Sequence, residues 1–337
     1  MNFINGIIPK ARYLVINNKP KIMPITIKYS SPAKILFSGE YSVVHGQPAL
    51  AMSLDYRLTF SLYETDGVLD ELDKGIPEAI EVVKKYLTEN KIDFAERGFE
   101  YEISSEIPIG QGFGSSAAFS SATVAAFYEF FSGKQPSKEV INDLAYEVEV
   151  LFHGKPSGVD PAAVTFGGLL FFRKEFEYLK TISSLPFGIN KDWLDRFYVV
   201  HSGDAVETTK ELVEMVASKK EADPEYYNSV FAKMGQATKD IIKAFQDSNQ
   251  ELLMSAIQTN QDLLDQIGVV SDNARSIISS LSPFGPAKIT GAGGNREGSG
   301  YILFFLNGDK SELEDYLNQS GLKYLKATAE NDGVKSL

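Results

Sequence analysis

The segment that most limits what this chain can fold into runs from Pro108 to Phe131. Pro108-Ile109-Gly110-Gln111-Gly112-Phe113-Gly114 leads without a break into SSAAFSSATVAAFYEFF. In the second part small and apolar residues recur at helical spacing on every side, which predicts a helix from near Gly114 that is buried on several faces. A helix of that kind needs other layers around it. Glycines at alternate positions let the preceding backbone turn tightly and bring its amides close to an anion. The unpaired N–H groups and positive end of the helix would face the same point. Ser115 and Ser116 fall in the first turn, where a hydroxyl can cap the helix or meet a bound metal. No lysine follows the glycines, as a Walker loop requires, and the spacing is GxGxGSS rather than the dinucleotide GxGxxG. Taken alone, the pattern fits a glycine-rich turn capping a buried helix as well as it fits a phosphate cradle.

The rest of the chain supplies the layers. At 337 residues, 43% of them hydrophobic and 23% charged, it can bury one large core or two ordinary ones. Strands are predicted at 25–30, 33–39 and 55–63, a helix at 77–90, a strand at 99–105, a helix at 138–152 behind an N-cap at Ser137, and a strand at 167–174. A composition shift at 182–192 reads as a domain boundary. Beyond it come helices near 206–220, 224–247, 249–267 and 271–281, strands at 287–290 and 301–306, a helix at 310–319 and a strand at 322–328. This is α+β, without regular βαβ winding and without repeats. The expected division is an extension at 1–24, a domain over 25–185 and a second over 186–337.

Several function classes are excluded or disfavoured. No apolar run reaches the length of a membrane span, and the N-terminus lacks the pattern of a signal peptide, so a soluble protein without a membrane partner is expected. The chain has no cysteine, hence no disulfide, thiolate metal site or cysteine nucleophile, which fits a reducing cytoplasm. A net charge of −12 argues against a nucleic-acid partner. It does not argue against nucleotides, because a local nest of amides can hold phosphates on an acidic protein. His45, His153 and His201 show no metal-ligand spacing.

Three further segments carry chemistry-bearing residues. Ser31-Pro32-Ala33-Lys34-Ile35-Leu36-Phe37-Ser38-Gly39-Glu40-Tyr41-Ser42-Val43-Val44-His45-Gly46 sets a lysine between a Pro-Ala turn and an apolar strand, which taken alone fits an edge charge in solvent better than a functional group. His153-Gly154-Lys155-Pro156-Ser157-Gly158-Val159-Asp160 ends in an aspartate that could be an ordinary turn residue. Eleven residues before it stands Glu149 on the 138–152 helix. Lys288-Ile289-Thr290-Gly291-Ala292-Gly293-Gly294 is either a glycine turn between strands or a second phosphate loop.

Together and in this order, the motifs resemble those of the GHMP kinases. PIGQGFGSSAA is similar to the second motif of that family, PxxxGLGSSAA, with Phe113 in place of leucine. SPAKILFSGEYSVVHG resembles the first motif and KITGAGG the third. HGKPSGVD resembles the segment that presents the catalytic aspartate in the mevalonate kinase branch. TTKELV (208–213) and NQDLLDQIGV (260–269) also match that branch, so the resemblance spans roughly residues 30–330. It implies a two-domain fold, with an N-terminal domain like the second domain of ribosomal protein S5, a ferredoxin-like C-terminal domain, and a cleft between them. It implies ATP and Mg2+ as cofactors. Gly110, Gln111, Gly112, Gly114, Ser115 and Ser116, with Gly291, Ala292 and Gly293, would lie on the phosphates, and Ser116 and Glu149 on the metal. Lys34 and Asp160 would flank the transferred group, with Glu40, Tyr41, His45 and Thr209 at the substrate.

The implied reaction is ATP-dependent phosphorylation of the 5-hydroxyl of mevalonate, a step of isoprenoid biosynthesis, in a family whose members are often dimers. Phosphomevalonate or a related alcohol is the alternative acceptor, and a non-catalytic ligand sensor the alternative class. Besides Phe113, the copy departs from the family in three places. Tyr41 replaces a histidine, Glu207 stands where a basic residue is common, and Asn295-Arg296-Glu297-Gly298-Ser299-Gly300 replaces a compact glycine run, which suggests a flap or weakened phosphate contacts.

Overall fold

The structure, a computed structural model, describes residues 27–65, 72–108, 112–176 and 179–337. The expected extension at 1–24, together with Gly110 and Gln111, lies outside the described residues.

Two antiparallel sheets organise the molecule. The first is built on β1 (Ile27–Ser38) and β2 (Pro48–Thr65). Two separate strands were expected at 25–30 and 33–39. They form one, with shifts of register between Pro32 and Ala33 and between Leu36 and Ser38. A proline cannot donate to the ladder, so Pro32 is accommodated where the pairing is irregular. The long β2 pairs with β1 along most of its length, with β4 (Leu169–Lys174) through its first residues and with β3 (Gly98–Ser105) through its last. At the edges lie β5 (Lys180–Ser184), beside β4, and the final short strand β10 (Lys335–Ser336), beside β1.

The second sheet has β6 (Phe197–His201), β7 (Ala287–Thr290), β8 (Tyr301–Phe305) and β9 (Tyr324–Lys326) in the order β7-β8-β6-β9. Numbered within this half, that is second-third-first-fourth, the ferredoxin-like arrangement. Four helices fill the first crossover: α6 (Thr209–Ala222), α7 (Pro224–Asp247), α8 (Gln250–Ile267) and α9 (Asp272–Leu281). The second crossover is α10 (Lys310–Gln319). In the first half, α1 (Ile76–Glu89), α2 (Ser115–Ser132), α3 (Lys138–His153) and α4 (Val159–Phe166) cover the sheet, and α5 (Lys191–Leu194) lies in the connection between halves.

The alternation of β6 explains how the halves join. Phe197 and Val199 face the large core, while Tyr198 and Val200 face a second core formed with α6, α9 and α10. Phe37 of β1 meets both Phe197 and Phe245 edge-on at 5.1 Å. The large core is therefore continuous across both sheets. At its centre is α2, in which 15 of 18 residues are buried, so the expectation of a helix buried on several faces holds. Its serines and alanines allow β1, β2, α1, α3 and α4 to approach together.

The last residues leave the second sheet and return to the first. Glu330 N donates to Ser53 O, Gly168 N to Glu330 O, and Val334 N to Thr165 O. Arg57 fastens this return: its guanidinium bonds Glu330 at 2.9 Å, the carbonyl of Gly333 at 2.8 Å and both the carbonyl and hydroxyl oxygens of Ser30. Replacing Arg57 by alanine strands these acceptors in a largely buried setting. Stability measured by urea unfolding should fall by about 2–4 kcal/mol. An unchanged midpoint would mean that the return is held by other contacts.

Candidate active site

Lys34 lies in mid-β1, where its stem can run beside the start of α2 only because residue 114 has no side chain. A Cβ on Gly114 would come within 2.8 Å of Lys34 Cγ and 2.9 Å of Cε. Gly114 also adopts φ +75°, as the αL N-cap of α2, which a bulkier residue resists. Next to it, the carbonyl of Phe113 accepts a hydrogen bond from Lys34 N at 2.9 Å. Phe113 itself is fully buried, edge-on to Tyr301 of the second sheet at 4.4 Å. The lysine is thus fixed from main chain to tip, with 2% of its side chain exposed, and its Nζ stands 3.0 Å from Asp160 Oδ1.

Asp160 is not in a turn. It occupies the second position of α4, a short helix that the sequence reading did not anticipate because Pro161 and only eight residues leave little periodicity. The helix starts at Gly158 with φ +92°, and its positive end favours the carboxylate. Asp160 is 39% exposed, so the pair presents its acidic member to solvent and keeps the ammonium behind it.

The two glycine loops meet backbone to backbone. A Cβ on Gly112 would lie 2.7 Å from the carbonyl oxygen of Thr290, and one on Gly291 would lie 3.1 Å from Gly112 Cα. Thr290 then ties the second loop to β1: its hydroxyl accepts from Leu36 N at 2.9 Å. Tyr41 holds Ala292, two residues further on, by donating its hydroxyl to that residue's carbonyl. Its backbone is strained, with φ +60°, at a cost of about 1–3 kcal/mol. Burial, then Glu40 and Glu207, push its phenol well above the ordinary range.

Ser116 and Glu149 also converge. Ser116 Oγ donates to Glu149 Oε1 at 2.6 Å, Ser120 Oγ donates to the same oxygen at 2.9 Å, and His153 Nε2 is 3.5 Å from Oε2. Burial raises the Glu149 carboxyl above its usual range, against the pull of His153 and the two hydroxyls. Ser120 and His153 were missed in the sequence, although each stands one helical turn from a residue that was chosen. Among the described residues no cluster of three or more His, Cys, Asp or Glu could enclose a metal ion by itself. A buried carboxylate with an adjacent hydroxyl is nevertheless a fitting donor set for a hard cation that takes its other ligands from phosphates and water.

The remaining sequence-chosen residues are placed less uniformly. Ser115 is buried in the first turn of α2, and Gly293 has φ +72° with its Cα against the carbonyl of Val269. Glu40 is fully buried and pairs with Lys288, Oε1 to Nζ 2.5 Å. Lys288 further bonds the carbonyls of Leu36 and Ile289, and burial lowers its ammonium despite Glu40. This pair stitches β7 to β1, a role that neither lysine nor glutamate betrayed in the sequence. His45 stacks on Phe231 at 4.6 Å and lies 3.0 Å from Lys220 Nζ; burial and that ammonium lower its pKa to about 4. Thr209 is exposed in the first turn of α6, where Thr208 and Glu211 form a capping box. Asn260 and Gln261 are structural, bonding Phe37 O and Ile289 N.

The apposed loops and the N-terminus of α2 could take an anion, with the Lys34–Asp160 pair beside them. Comparison with known proteins gives the class. Residues 76–168 match the GHMP kinases N terminal domain. The chain is 34% identical over 292 residues to the mevalonate kinase of Archaeoglobus fulgidus, covering 83% of this chain and 93% of that one. It is 33% identical over 304 residues to that of Pyrococcus furiosus, covering 79% and 86%. The crystal structure of Methanococcus jannaschii mevalonate kinase superposes with a TM-score of 0.73 at 25% identity, covering 93% of this chain and 100% of that one. The chain belongs to the GHMP kinase family. Among the described residues no helix is long and apolar enough to cross a membrane.

The raised Glu149 carboxyl has a stability consequence. A folded-state pKa above the unfolded value gives stability that is present at acidic pH and lost as pH rises through the folded value. Glu149→Gln keeps an oxygen for Ser116 and Ser120 and removes the buried charge. The Tm of the ligand-free protein should therefore rise, more at neutral than at acidic pH. A Tm that falls at neutral pH would show that the ionised carboxylate is well compensated.

Proposed function

We propose that this kinase transfers the γ-phosphoryl group of ATP to the 5-hydroxyl of mevalonate, giving 5-phosphomevalonate for isoprenoid synthesis. The observation that carries the reading is the Lys34–Asp160 pair, closed to 3.0 Å and pressed against Gly114 at the start of α2. The acceptor is inferred from the relatives, which are mevalonate kinases at 33–34% identity over most of their length.

The chemistry follows from the placement. Phosphoryl transfer asks mainly for positioning and charge stabilisation. The amides of the Gly112–Ser116 turn, the N-terminus of α2 and the Gly291–Gly293 loop would hold the triphosphate. The acceptor hydroxyl would lie at Asp160, which is exposed enough to receive it and held by Lys34 in one orientation. As the new O–P bond forms and the bond from the γ-phosphorus to the β–γ bridging oxygen breaks, the hydroxyl proton passes to Asp160 and ADP leaves. Lys34 offsets the charge on the transferred group. Ser116 and Glu149 would hold Mg2+, which spreads phosphate charge when bound.

A coupled assay of ADP release with mevalonate, phosphomevalonate and related alcohols tests the reading. Turnover of mevalonate is expected, and Asp160→Asn should lower kcat roughly 10²–10⁴-fold while leaving ATP binding intact. Activity confined to phosphomevalonate would overturn the acceptor, and ATP binding without any turnover would favour a ligand sensor.

A further inference from the structure

Glu207 places a carboxylate on the rim of the site, an awkward choice for an anionic substrate. It is 6% exposed, its Oε2 has no hydrogen-bond partner, and its charge reaches the Tyr41 phenol that bonds Ala292. Its Oε1 is taken by Arg296 Nε at 2.6 Å. Arg296 is 59% exposed, and among the described residues its guanidinium makes no other hydrogen bond. The nearby Glu211 is turned to the cap of α6, accepting from Thr208 N and Oγ1.

The loop that carries Arg296 is not a free flap. Ser299 bonds the carbonyl of Gly294 at 2.8 Å and the hydroxyl of Ser271 at 3.1 Å, and accepts from Ser271 N. Ser202 donates to Gly300 O and accepts from Ser299 N. Gly298 packs so closely on Gly203 that a Cβ would come within 2.2 Å of its carbonyl carbon. The arginine is therefore delivered by an anchored loop, two residues beyond the Gly291–Gly294 turn.

We propose that Arg296 receives the carboxylate of the acceptor alcohol, with buried Glu207 as the group that aims it. Glu207 binds one N–H of the planar guanidinium and leaves the fork of terminal amino groups for a second carboxylate, the geometry in which arginine surpasses lysine. An inward acid is thus paired with an exposed cation, whose charge Glu211 and Glu297 also feel. The inference rests on the mevalonate reading and names the residue that recognises the acid end of that substrate.

The test compares mevalonate with the neutral triol in which its carboxylate is reduced to a primary alcohol, in the wild type, Arg296→Gln and Arg296→Lys. In Arg296→Gln, KM for mevalonate should rise, and the ratio of kcat/KM for mevalonate to that for the triol should fall about tenfold or more. Arg296→Lys should recover part of that ratio. An unchanged ratio, or a rise confined to the KM for ATP, overturns the assignment, the latter by moving Arg296 to the nucleotide. Wild-type protein that turns over neither compound overturns the kinase reading and this inference with it, whereas wild-type turnover with an unaltered ratio in Arg296→Gln sinks the inference alone.

Discussion

The site depends on one close approach, the passage of the Lys34 stem over Gly114. An ammonium removed from water is stable only when it is paired and its surroundings are fixed. Asp160 supplies the partner at 3.0 Å, and the glycine supplies the space. The same contact brings the Lys34–Asp160 pair against the first turn of α2, where helix geometry leaves the leading amide N–H groups without intrahelical partners. In the proposed mechanism, binding and chemistry are thereby joined in one piece of backbone.

That contact is held by elements from both halves. Phe113 is pinned by Tyr301 of the second sheet, Gly112 by Gly291, and Leu36 by Thr290 and Lys288. The continuous core around Phe37, Phe197 and Phe245 sets the two sheets against each other. The strained backbone of Tyr41 is tolerated because its ring is buried and its hydroxyl is engaged by the second loop.

Part of this was legible in the sequence. The α2 segment announces itself by period and composition, whereas the meeting of Ser116 with Glu149 and of Lys34 with Asp160 was expected only from the resemblance of the motifs to those of the GHMP kinases. What was not legible depends on contacts distant along the chain. β5 and β6 are short and read as part of, or next to, a boundary. The first residues of β2, Pro48–Leu54, show no alternation because both faces of the strand are covered. α4 is too short to show a period, so the residues alone left Asp160 open between a turn position and a functional one. Lys288 and Glu40, 248 residues apart, form a buried pair that no spacing rule reveals. Glu207 read as a misplaced charge until Arg296 was found beside it.

The proposed mechanism can be checked in a crystal structure with Mg2+ and a non-hydrolysable ATP analogue, which should show the triphosphate lying along the Gly112–Gly291 contact, with a γ-phosphate oxygen within about 3 Å of Lys34 Nζ, the reach of a charge-assisted hydrogen bond. A nucleotide bound away from this contact, or a γ-phosphate that leaves Lys34 and Asp160 paired only with each other, would contradict it.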